Sequence, residues 1–136
     1  MIQRIQSVYM LLAIVAATLL FVFPYAYALG EAGHPIMAAD NLTLLIPSLV
    51  LVLINLLTIF LYKNRKLQMR LNRLSVLLAL TIAGFMLYEY FLGEDYNIRA
   101  IQLGQYVPAL VILFNLLALS GIKKDEKLVR SMDRLR

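Results

Sequence analysis

Among the polar side chains within the apolar runs of this 136-residue chain, Asn55, Asn115 and Glu89 stand out. They are the positions where chemistry would be sought first. Glu89 is the only acid inside such a run. An ionisable group within a bilayer marks an ion or proton route by default. Its place near the end of the run, between Tyr88 and Tyr90, favours instead an interfacial acid that reaches water. Asn55 and Asn115 carry amides that need partners in an apolar medium, and interhelical hydrogen bonds of this kind contribute about 0.6–2 kcal/mol. They read either as a polar pocket on a bundle axis or as contacts that lock helices together. With no charged residue at their depth, locking is favoured.

The remaining ligand-type atoms offer less. His34 is the single histidine, and with Glu31 and Asp40 it falls in a segment marked as a turn by Gly33 and Pro35. Metal sites draw convergent ligands from several places, so no metal is expected here. Cysteine is absent, which excludes thiolate ligands, disulfides and a Cys nucleophile. There is no Gly-rich phosphate loop, no Ser/His/Asp set and no carboxylate pair within the apolar runs. The expectation is a non-enzymatic protein without a cofactor.

The elements that carry these residues are read from hydropathy. Apolar residues make up 62% of the chain and charged residues 15%, against roughly 45–50% and about 25% in soluble domains. The excess lies in four runs, 8–29, 42–62, 74–92 and 101–122, of which only the third holds a charge. Each approaches the ~20 residues that a helix needs to cross a hydrocarbon core of about 30 Å. Because lipid offers no hydrogen bonds to the backbone, a helix is the expected form. The predicted class is therefore all-α: a polytopic membrane protein of four transmembrane helices. Arg4 followed by an apolar run and Ala26-Tyr27-Ala28 also resembles a cleavable secretory signal; the run is taken here as a retained span.

Basic charge sets the orientation. Lys63, Arg65, Lys66, Arg70 and Arg73 fill the segment between the second and third runs. Lys123, Lys124, Lys127, Arg130, Arg134 and Arg136 fill the tail, and Arg4 precedes the first run. Only Arg99 lies on the other side. Short loops obey the positive-inside rule, so both termini and the 63–73 segment are predicted to be cytoplasmic. Tyr25, Tyr27, Tyr88, Tyr90, Tyr96 and Tyr106 gather at the opposite end as an interfacial belt would. A net charge of +5 would suggest nucleic acid in a soluble protein. Flanking apolar spans, these residues are expected to meet anionic lipid head groups or other membrane subunits instead.

The second half of the chain echoes the first. Pro47, Asn55 and Lys63 correspond to Pro108, Asn115 and Lys123, with Asn eight residues before Lys in both cases. Leu67, Leu71 and Leu74 correspond to Leu128, Met132 and Leu135, each trio at i, i+4, i+7. The simplest arrangement is two parallel hairpins related by a pseudo-two-fold axis along the membrane normal. Segment 123–136 is expected to form a short basic amphipathic helix, either lying on lipid or docking a partner. Ala79, Ala83 and Gly84 suit a close helix contact in the third span.

The two ends of the chain carry a resemblance. Met1-Ile2-Gln3-Arg4-Ile5-Gln6-Ser7-Val8-Tyr9, and Ile122 through Ser131 with Asp133-Arg134-Leu135-Arg136, resemble the small membrane proteins of Bacteroidota grouped as domain of unknown function four-two-nine-three. The resemblance implies a four-helix protein of the bacterial inner membrane and supplies no activity or site residue. The function expected is that of an accessory or scaffold subunit of a larger membrane complex. The alternative is a small homo-oligomeric transporter or channel using Asn55, Asn115 or Glu89.

Overall fold

The computed structural model describes residues 3–28, 34–92 and 98–133. It is mostly helical. Helix α1 runs Gln3–Thr18 and tightens into a 3-10 turn at Leu19–Phe21. Strands β1 (Ala26–Ala28) and β2 (Pro35–Ile36) precede α2, Leu42–Phe60. Helix α3, Arg65–Leu92, is followed by β3, Ile98–Ile101, a 3-10 turn at Leu103–Tyr106, and α4, Val107–Asp133. Three helical stretches, Leu42–Phe60, Arg65–Leu92 and Leu103–Val129, are long and apolar enough to cross a membrane. The fourth, Ile5–Phe21, is apolar but shorter.

Several expected boundaries move. The first run leaves the helix well before residue 29, because Pro24 has no N–H to give and disfavours helical backbone before it. Ala26-Tyr27-Ala28 becomes the central strand of a three-stranded antiparallel sheet, ordered β2-β1-β3. The purely helical expectation is corrected accordingly: the two connections at this end pair with one another. Gly104 makes the junction possible. Its N–H donates to the Pro24 carbonyl at 3.0 Å, and a Cβ there would sit 2.7 Å from the carbonyl oxygens of Phe23 and Pro24.

At the basic end the corrections run the other way, towards more helix. Segment 63–73 is not a loop. Asn64 closes a tight turn and caps α3, accepting from the Leu67 N–H on its side chain at 3.2 Å and from the Gln68 N–H on its carbonyl at 2.9 Å. The tail does not form a separate surface helix either. Nothing between Ile122 and Lys127 breaks a helix, and Lys, Glu and Leu favour one, so α4 continues unbroken. At ~1.5 Å per residue α3 and α4 are each about 40 Å long, beyond the ~30 Å of a hydrocarbon core. The fourth run also starts later than residue 101, because 98–101 is strand. Pro108 takes the second helical position, where its missing N–H costs nothing, whereas Pro47 lies inside α2.

The helices form a ring in which each packs on its two neighbours, with α4 closing on α1. Contacts of Asn55 with Ser75 and of Gln68 with the Thr58 carbonyl show α2 and α3 antiparallel. Each helix buries one seam at alternating steps of three and four residues. These are Gln6, Met10, Ala13, Ala17 and Leu20 in α1 and its turn; Leu44, Ser48, Leu51, Asn55 and Thr58 in α2; Gln68, Asn72, Ser75, Ala79, Ile82 and Met86 in α3; and Val111, Asn115, Ala118, Ile122 and Asp125 in α4. That period is the seam of left-handed helix packing. Amides and hydroxyls share these seams with apolar residues, while Leu53, Leu57, Leu77, Leu80, Leu113 and Leu116 point out. Such a bundle suits an apolar surrounding. Of the small residues expected to face a neighbour in α3, Ala79 lies in the buried seam whereas Gly84 faces open space; α1 also buries Ala13, Ala16 and Ala17.

Candidate functional site: polar centres along the bundle

The seams bring Asn55 and Asn115 to one hydroxyl. Asn55 Nδ2 donates to Ser75 Oγ at 2.8 Å and Asn115 Nδ2 donates to the same oxygen at 3.2 Å. Each amide also donates to its own helix four residues back, to the Leu51 and Val111 carbonyls at 2.8 and 2.9 Å. Ser75 has the two lone pairs this needs. The pair is thus one junction joining α2, α3 and α4, with Asn55 and Asn115 at most 1% exposed. The sequence pointed to the amides and missed the serine between them.

One turn along α3 lies a residue that sequence reasoning passed over. Asn72 is fully buried, and neither its Nδ2 nor its Oδ1 has a partner. Asn115 Oδ1 and Ser48 Oγ are likewise unpartnered. Each such atom costs about 1–3 kcal/mol in an apolar interior. The signal that could have found them is the three-four spacing of Gln68, Asn72 and Ser75 within a helix otherwise rich in leucine.

Glu89 belongs to the opposite end. It is half-buried, and its two carboxylate oxygens accept from Tyr25 Oη at 2.6 Å and from Asn41 Nδ2 at 2.7 Å. Asn41 Oδ1 meanwhile accepts from the Thr43 N–H at 3.0 Å, capping α2. Glu89 therefore ties three elements together: the approach to β1, the start of α2 and the end of α3. Tyr25, expected in the exposed belt, is buried in the core, whereas Tyr27, Tyr88 and Tyr106 are exposed. Of the ligand-type residues near the first turn, His34 is exposed, Asp40 Oδ2 accepts from the Met37 N–H at 2.9 Å, and Glu31 lies outside the described residues.

The basic end holds a second buried centre that the sequence did not suggest. Asp125, 7% exposed on the seam of α4, accepts a hydrogen bond from Gln6 Nε2 of α1. Gly121 allows that approach, since a Cβ there would lie 2.8 Å from Gln6 Cγ. Gln68 Nε2 donates to the Thr58 carbonyl at 3.1 Å and to Met10 Sδ at 3.5 Å. Gln6, Gln68 and Asp125 line a cleft of ≈ 460 Å³ together with Phe60, Tyr62 and Arg65. Arg65 is half-buried, while Lys63, Lys66, Arg70, Arg73, Lys123, Lys124 and Lys127 are exposed. The side chains of Arg130 and Arg134 lie outside those described. A shallower recess of ≈ 370 Å³ runs between Lys124, Lys127, Leu128 and Ser131. Leu67, Leu74 and Leu128 of the matching trios face outward.

No curated protein and no solved structure matches the chain. A family model matches residues 2–135, nearly the whole length, and the chain belongs to that family, described as domain of unknown function DUF4293.

Proposed function

We propose that this protein is a non-enzymatic accessory or scaffold subunit of the bacterial inner membrane, with both termini and the basic end in the cytoplasm. The observation that carries this reading is the convergence of Asn55 and Asn115 on Ser75. The amide nitrogens of Asn55 and Asn115 are engaged in joining helices, which supports a packing role for this pair. What remains for contact is the basic end, where α3 and α4 extend beyond the length a bilayer needs and present exposed Lys66, Arg70, Lys124 and Lys127 beside exposed Leu128 and Val129. Mixed cationic and apolar surface of this kind suits head groups or a partner subunit. Extraction in mild detergent tests it. A second membrane protein in fixed stoichiometry supports the reading, and a chain that always runs alone overturns it.

A second reading, a small homo-oligomeric transporter, draws on the unpartnered atoms of Asn72, Asn115 and Ser48. Buried polar atoms without partners are where water or a solute would bind. Solute or ion flux into liposomes holding only this chain, abolished by Asn72→Leu, would favour it over the scaffold.

A further inference from the structure

The geometry points to a binding site, in the cleft at the basic end, for a phospholipid whose head group carries a primary ammonium beside its phosphate. The inference rests on the membrane placement above, not on the presence of a partner subunit. Asp125 supplies the first argument. A carboxylate so nearly buried is favoured when charge and hydrogen bonds compensate it. Among the described residues its one hydrogen bond comes from the neutral amide of Gln6. The neighbouring amide nitrogen of Gln68 is directed elsewhere, to the Thr58 carbonyl and Met10 sulfur. An ammonium group brings a positive charge and three N–H donors.

Arg65 supplies the second argument. It lines the same cleft from α3 but forms no ion pair with Asp125. Its guanidinium cannot lose its proton and matches a phosphate through paired N–H donors. One cleft thus offers a cation and an anion that do not neutralise each other, which is complementary to a zwitterion. A purely anionic head group would meet Asp125 unfavourably, and a quaternary ammonium would bring charge without N–H donors.

Apolar surface beside the cleft separates lipid from a soluble amine phosphate. Phe60 and Tyr62, on the wall of the cleft, are 69% and 65% exposed and continue onto the leucine-covered outside of α2. A ligand held there has apolar chains to lay along that surface. The volume of ≈ 460 Å³ falls within the roughly 300–1,000 Å³ of small-molecule sites.

The test is lipid titration of the full chain in mild detergent, read by native mass spectrometry, with phosphatidylethanolamine, phosphatidylcholine and phosphatidylglycerol as probes and free phosphoethanolamine as competitor. Phosphatidylethanolamine should bind roughly ten-fold tighter than the other two, the worth of one charge-assisted hydrogen bond. Asp125→Asn should erase that preference, and Arg65→Gln should weaken all three lipids. Equal binding of the three lipids, a preference for phosphatidylglycerol, or a preference that survives Asp125→Asn would overturn the proposal. So would free phosphoethanolamine that competes at the concentration of the lipid. Should Asp125→Asn fail to fold, the wild-type ranking and Arg65→Gln decide. A chain that lacks a partner protein yet still prefers phosphatidylethanolamine would refute the scaffold alone.

Discussion

The two halves of the bundle are built on different principles although the same four helices run through both. Towards the sheet, the seams are filled by Leu20, Tyr25, Leu44, Leu51, Ile82, Met86 and Val111, one continuous apolar core. Its polar exceptions are mostly engaged, Glu89 by two donors and Asn41 at both ends of its amide. Towards the basic end the buried apolar cluster shrinks to Met10, Ala118 and Ile122. Around it lie Gln6, Gln68, Asn72 and Asp125. The first half holds the helices together. The second carries buried polar groups that are expensive for folding and incompletely paired, as binding regions tend to be.

That contrast is best broken from the sheet half. Ile82→Ala opens a void in the continuous core and is expected to cost about 2–5 kcal/mol, seen as a large drop in thermal midpoint in detergent. Gly104→Ala drives a Cβ into two backbone carbonyls that cannot easily yield, for about 1–3 kcal/mol. A midpoint unchanged from wild type would show that the sheet does not clamp the bundle. Glu89→Gln keeps the shape but sets an amide N–H₂ against one of two donors. The expected loss is about 1–2 kcal/mol of stability, measured by the same melting, with any partner association unchanged. Loss of association in a well-folded Glu89→Gln protein would make this acid functional.

The basic half should respond differently. Ser75→Ala removes the acceptor shared by Asn55 and Asn115 and should cost about 0.6–2 kcal/mol. Asn72→Leu deletes two unpartnered atoms in a helix whose other buried positions are filled. It should leave stability unchanged or raise it by about 1 kcal/mol. A marked loss of stability in Asn72→Leu would mean that this amide is part of the structural framework.

Much of the fold was legible because hydropathy and charge act at the scale of whole helices. Runs around Leu51, Ile82 and Val111 could only be helices in lipid, and Asn55 and Asn115 stood out as the polar breaks within two of them. The sheet was not legible. Its strands are at most four residues long, and β1 is the tail of an apolar run that reads as helix until Pro24 is weighed as a stop. The continuity of α3 and α4 was hidden by the habit of ending a span where charge begins, although lysine and glutamate are good helix formers. The cleft was the least legible. Asp125 looks like one more charge in a charged tail, and only the seam running Val111, Asn115, Ala118, Ile122, Asp125 turns it inward.

The basic end is proposed as the surface where this protein meets others. Photo-crosslinking in native membranes tests it most directly, with the reactive group placed in turn at exposed Lys127 on α4 and at exposed Tyr106 beside the sheet. A discrete crosslink to another membrane protein is expected from position 127 and none from position 106. Crosslinks from 106 alone, or from neither position, would contradict it.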